Sequence, residues 1–575
     1  MIQNKNYYLP LFLCIFLYLF SLNTFQFYNQ HWTSVLDQDQ IIIYNALLIS
    51  SGIEQDYRDH PAYTTFFILG GVFKFLSIFF EHFTFESIAN SKNMDENFQI
   101  LFYIARIINT LYIFLFSFVL LKVLEQLKIN KTICILSVLL LLIFPATYEA
   151  LYLIRSELLS VLFLLISLYF YLKFIHTKKI YYSFLFGFFI LFALLAKIQI
   201  IFLLFIFLIL LPFLINHFDA KFDAKLVYGE FYYKLNFFII IIFIFFFFFY
   251  QTVLGIIYLL GSYDQRFFLT NNLDFYLFFG FIFFYFIFVK FLSKKKLVEI
   301  SQIVISISSI IIGITLCVFF IFILDFLNII PFHKAIILRV MNPFEYMNLY
   351  TQKTLIPLEN ILISIKQIFL GAIGLRELAF DFNSLYNPKI LGVEVKAFFR
   401  ILYILLILFL ILISLRKLNN NNLNSLIIIL LGGIVIHSLM FNIRDTHSYN
   451  IYIFPLYIIL FSLILNQFNK SYIIKFYSIL ALFFLFENIA LSNIHKNAFK
   501  REPRVFAICS AENWKNSENY IQNFNNSSHV SAVEKSMMDF WLTSYFYGFY
   551  KNKKLFTEFC DQLKNSKEEK VKFYF

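Results

Sequence analysis

Apolar runs long enough to cross a bilayer recur along this chain, and every second gap between them carries a small group of lysines. A spanning helix needs about 20 mostly apolar residues. Such runs fall at residues 8–28, 101–127, 133–148, 158–175, 180–195, 198–215, 235–260, 275–289, 303–327, 395–415, 423–441, 451–465 and 473–491. No soluble core could hide them all. The chain is 60% hydrophobic and only 14% charged, where soluble domains carry roughly 25% charged residues. The expected fold is an all-α polytopic membrane protein with about thirteen transmembrane helices.

The formal charge of +12 would suit nucleic acid, but the basic residues form no single patch. They recur as Lys122/Lys128/Lys131, Lys173/Lys178/Lys179, Lys221/Lys225/Lys234, Lys290/Lys294/Lys295/Lys296, Arg416/Lys417 and Lys470/Lys475. With Lys5 and the N-terminus in the cytoplasm, all of these groups fall on the inner side, as the positive-inside rule requires. Nucleic acid is excluded as a partner on that ground. The expected location is a cell membrane, inner or plasma, crossed many times, with the C-terminus extracytoplasmic. The first run is long and has no small-residue cleavage site after it, so it reads as a retained span and not as a signal peptide.

Three substantial pieces then lie outside. The first covers residues 29–100. Its apolar stretch at 62–80 is interrupted by Gly70, Gly71 and Lys74. Counting that stretch as a span would put every later lysine group outside, so it reads as an interfacial helix. The second piece covers 328–394, with a further interfacial helix around 361–369. The third, 493–575, has soluble composition and reads as a small α or α/β region, with a strand at 504–509 and an aromatic-rich helix at 533–550. Residues 1–492 form the membrane domain. Of the five cysteines, Cys14, Cys134 and Cys317 fall in apolar runs. Cys509 and Cys560 lie in the tail and could pair in an oxidising compartment. No metal-ligand spacing is present.

The polar residues that stand out share the outer face. Asp37-Gln38-Asp39-Gln40 follows the first run, and Asp59, His60 and Pro61 lie further along the same connection. A carboxylate held at a membrane surface can take a proton from an acceptor hydroxyl or bind a divalent cation. A solvated loop is the plain alternative. Arg106 opens the second run, Arg155 and Glu157 the fourth. Lys197 sits in the turn between the fifth and sixth, and Arg444, His447 and Tyr449 precede the twelfth. Ionisable groups at apolar helices are costly. Each has a simpler role open to it. Arg106 and Arg444 can snorkel to headgroups, Glu157 can pair with Arg155, Lys197 can be a turn residue and His447 an interfacial histidine.

Taken in order, these residues resemble the GT-C superfamily of polytopic glycosyltransferases. The nearest branch is the bacterial one that includes the lipid A aminoarabinose transferase and the protein O-mannosyltransferases. The likeness rests on Asp37-Gln38-Asp39-Gln40 after span one, on Ala46 and Gly52 in an interfacial helix, and on Asp59-His60-Pro61. It continues through Arg106, Arg155-Ser156-Glu157 and Lys197, and more weakly through Arg444, His447, Tyr449 and Pro455. Gln40 and Ala62 depart from the pattern, standing where Glu and a second Pro are common.

The resemblance implies a GT-C-like bundle and transfer of a sugar from a polyprenyl-phosphate donor. The acceptor would be a glycolipid, polysaccharide or protein. Asp39 or Asp37 would be the general base and Glu157 would assist. Lys197, Arg106 and Arg444 would bind the donor phosphate. Asp59, His60, Arg155, His447 and Tyr449 would line the substrate site. Any divalent cation would sit on Asp37, Asp39 and Glu157. The competing readings are a lipid or sugar flippase, a polysaccharide polymerase or ligase using residues 328–394, and a non-catalytic scaffold.

Overall fold

A computed structural model describes residues 8–22, 39–55, 62–80, 83–85, 87, 94–177, 179–200, 300–332, 389–390, 393–394 and 447–499. These residues are overwhelmingly helical. In chain order the helices are α1 (Tyr8–Leu22), α2 (Asp39–Ser50), α3 (Tyr63–Ser77), α4 (Met94–Gln126), α5 (Lys131–Leu142), α6 (Pro145–Tyr152), α7 (Ser156–Thr177) and α8 (Ile180–Ala196). After a 3-10 turn at Ile198–Ile200 come α9 (Ile300–Phe326), α10 (His447–Leu465) and α11 (Lys470–Phe499). A two-residue antiparallel pairing joins β1 (Lys389–Ile390) to β2 (Val393–Glu394). Two stretches, Gln99–Gln126 and Ser156–Thr177, are long and apolar enough to cross a membrane.

The runs expected at 235–260, 275–289, 395–415 and 423–441 lie outside the described residues, as do nearly all of 198–215, the helix at 361–369 and the elements of the tail. Helix α11 continues past residue 492 to Phe499, so the boundary drawn there falls inside a helix.

One expected span is two helices. The run at 133–148 breaks at Ile143 and Phe144, and α6 starts on Pro145. Proline disfavours helical conformation in the residue before it and suits the first position of a new helix, where its missing N–H costs nothing. At 1.5 Å per residue, α5 is only about 18 Å long. The Asn130 side chain caps α5, accepting the Thr132 N–H at 3.0 Å. The Asn488 amide from α11 donates to Ile143 O at 2.8 Å, satisfying a carbonyl the break would strand.

The helix implied around Ala46 and Gly52 exists as α2, and it is buried within the protein: Ile43, Ala46, Leu47 and Ile49 have no exposed surface. Gly52 ends it at φ 77°, a left-handed position that favours glycine. Helix α3 packs along α2. A side chain at Gly70 would strike Ile49 Cγ2 at 2.7 Å and Ala46 O at 2.9 Å. The Ser50 hydroxyl, at the end of α2, donates to Phe83 O at 2.9 Å, just beyond the end of α3. The C-terminal ends of α2 and α3 therefore lie together, and so do their N-terminal ends. Phe75, Ile78, Phe79 and Phe80 stay exposed, as an interfacial helix requires.

Helix α8 packs between α7 and α9. It crosses α9 at two glycines: a Cβ on Gly187 would run into Ile310 O, and one on Gly313 into Phe184 O. Backbones approach this closely only over small residues. The C-terminal ends of both helices lie beside the start of α3. Thr64 Oγ1 donates to Phe192 O at 2.8 Å, and the Tyr63 and Phe332 rings sit 4.6 Å apart. Gly187→Val is expected to cost at least about 1–3 kcal/mol, because the obstacle is backbone and cannot rotate away. Gly71→Ala, whose new methyl meets only Ile330 Cδ1 at 3.8 Å, is the control. Thermal unfolding in detergent checks both.

Candidate active site

The link between α6 and α7, residues 153–155, is the centre of the site. Three other helices converge on it. Helix α2 brings Asp39 as its first residue, fully buried. Its Oδ2 accepts the Ile154 N–H at 2.8 Å. Its Oδ1 has no hydrogen-bond partner among the described residues. Helix α4 brings Arg106, also fully buried, whose positive charge acts on Asp39. The Arg106 guanidinium carbon lies 6.0 Å from the Phe102 ring centre, within cation–π range.

The link runs directly into Glu157, in the first turn of α7. Glu157 Oε1 accepts a charged hydrogen bond from Lys197 Nζ at 3.0 Å, and Arg155 Nη1 lies 4.0 Å away. Lys197 terminates α8 in extended conformation, which turns its side chain back into the bundle, where it is 2% exposed. A buried ion pair of this kind persists because removing either partner strands a charge.

Burial pushes the Asp39 carboxyl up to about 7. The Ile154 N–H and the Arg106 charge pull it down, and the Glu157 charge adds to the rise. A carboxyl poised near neutrality can both take and release a proton at working pH.

Asp39, Arg106, Arg155, Glu157 and Lys197 thus meet within one neighbourhood. Helix α4 begins at Met94 with a polar first turn, and Arg106 sits about two turns inside the apolar stretch that starts at Gln99. Asp37, Asp59, His60 and Arg444 lie outside the described residues. His447 and Tyr449 occupy the first turn of α10, and their side chains are likewise outside. The other end of α10 is fixed beside the α4–α5 turn, where Asn466 Oδ1 accepts the Asn130 N–H at 2.9 Å. The start of α10 is therefore carried toward the end of the bundle that holds Arg106.

Among the described residues no group of three His, Cys, Asp or Glu could hold a metal. Glu157 Oε1 already carries the Lys197 ammonium. Asp39 Oδ1 has no hydrogen-bond partner among the described residues.

One participant was not anticipated from sequence. Asn109, one turn after Arg106, donates from Nδ2 to Leu153 O at 2.9 Å and to Ala150 O at 3.2 Å. A lone amide in an otherwise apolar run was the available signal.

No protein-family model matches this chain, and neither curated proteins nor solved structures give a match.

Proposed function

We propose that this chain is a polytopic membrane glycosyltransferase. It takes a sugar from a polyprenyl-phosphate donor and passes it to an extracytoplasmic glycolipid, polysaccharide or protein. The observation that carries this reading is the meeting of Asp39, Arg106, Glu157 and Lys197, from four helices, around one link. The reaction needs a base for the acceptor hydroxyl and cations for the departing phosphate. Asp39 supplies the base, with an unpartnered oxygen to receive the proton. Lys197 and Arg106 supply positive charge, joined by Arg444 in the full chain. Among the described residues, Arg106, Arg155 and Lys197 stand against Asp39 and Glu157, a net positive neighbourhood that suits an anionic donor.

The proposed setting is a GT-C-like bundle of about thirteen spans in the inner or plasma membrane. The N-terminus is cytoplasmic and the C-terminus extracytoplasmic. Asp37, Asp59, His60, Arg155, His447 and Tyr449 complete the substrate site.

A second reading has its own support. Transporters place ionisable groups within apolar helices, and Arg106 of α4 is fully buried. A flippase for the same lipid follows from that placement. One experiment separates the two. Purified protein in proteoliposomes is given labelled polyprenyl-phosphate hexose on one side, with an envelope extract as acceptor. Label moving into a new, larger product supports transfer. Lipid that equilibrates across the bilayer with no new product supports the flippase and removes the transferase.

A further inference from the structure

We infer that Asn109 is a positioning residue for the base, holding the 153–155 link so that the Ile154 N–H meets Asp39. The inference rests on the reading of Asp39 as a working acid–base group.

Asn109 is buried to 2% exposure. Its amide donates to Leu153 O and Ala150 O, two carbonyls at the C-terminal end of α6. A helix end leaves such carbonyls without intrahelical partners. Asn109 supplies them from a different helix and so ties the link to α4. The next peptide along presents its N–H to Asp39 Oδ2 at 2.8 Å. Three residues further on is Glu157, held by Lys197. The same helix α4 carries Arg106, one turn away. Asn109 thus ties the link that presents the Ile154 N–H to the helix that carries Arg106, two of the groups that favour the ionised form of Asp39.

The charged groups acting on Asp39 are Arg106 from α4 and Glu157 from α7. Lys197 from α8 and Arg155 from the link act through Glu157. Replacing Asn109 removes no charge from this set. It frees the link, and with it the N–H that stabilises the carboxylate. Loss of a hydrogen bond to the charged form raises the proton affinity of an acid.

The test needs no knowledge of the sugar or the acceptor. Dicyclohexylcarbodiimide is an apolar reagent that modifies protonated carboxyl groups. The carboxyl oxygen adds to the carbodiimide carbon and the proton goes to nitrogen, giving an adduct detected by peptide mass spectrometry. Labelling of Asp39 in the reconstituted full chain is followed against pH, and is expected to fall through a midpoint. In Asn109→Ala that midpoint moves up by about one pH unit. Asn109→Gln keeps a donating amide and stays closer to wild type. Ser137→Ala breaks a buried 2.6 Å contact with Tyr477 elsewhere in the bundle and leaves the midpoint in place. An Asn109→Ala midpoint equal to that of wild type overturns the inference. So does an equal shift in Ser137→Ala, since that would report general loosening. If Asn109→Ala does not assemble, Asn109→Ser serves in its place with the same expected direction. Absence of sugar transfer by the wild type would sink the transferase reading and leave this titration intact.

Discussion

Asp39→Asn is expected to lower sugar transfer by roughly 10²–10⁴-fold, the usual worth of a positioned general base. The substitution is close to isosteric. Its amide oxygen can still accept the Ile154 N–H, and a neutral side chain is easier to bury than a carboxylate. Thermal stability should therefore hold or rise while activity falls, and that divergence separates a chemical role from a structural one. The pH profile gives a second check. Burial raises Asp39 to about 7, and a base works only when deprotonated. Wild-type rate should climb with pH through that region, and the residual rate of Asp39→Asn should not. A variant keeping more than about a tenth of wild-type transfer would remove Asp39 as the base.

Lys197→Met should be among the most destabilising single changes in the described bundle. It leaves Glu157, 4% exposed, without its close hydrogen-bonded ammonium and with only the Arg155 guanidinium at 4.0 Å to offset its charge. Breaking such a pair costs about 3–5 kcal/mol, whereas replacing both partners with neutral groups is often close to neutral. Lys197→Met combined with Glu157→Gln is accordingly expected to recover most of the lost stability in detergent melts. It should recover no activity, because the cation proposed to receive the donor phosphate is still missing. Full recovery of transfer in the double variant would make the pair a structural clamp and nothing more.

The sequence made the helices legible where apolar runs were uninterrupted. The expected stretches at 158–175, 180–195, 303–327 and 451–465 are all found within α7 to α10, with ends differing by a few residues. It misjudged the run at 133–148, because hydropathy averages over Pro145 while the backbone cannot. Of the site, Asp39, Arg106, Glu157 and Lys197 were visible as ionisable residues in apolar surroundings. What no periodicity could reveal was the partner of Asp39. Ile154 contributes through its backbone, and the meeting depends on a short link that only the α5–α6–α7 breaks create. The polar residues from Met94 onward hid the true start of α4, which precedes the apolar run that Arg106 opens.

In the proposed transferase, the Lys197–Glu157 pair would tie proton uptake to ligand arrival. An anion that draws the Lys197 ammonium away leaves the Glu157 charge less compensated. Glu157 already raises the proton affinity of Asp39, and it would then raise it further. Thermodynamic reciprocity requires the converse: a proton on Asp39 strengthens anion binding by the same factor. The site would thus hold a weak base when empty and a stronger one when loaded. Donor affinity should consequently weaken as pH rises through the Asp39 midpoint, even though no group on the donor phosphate titrates in step with it.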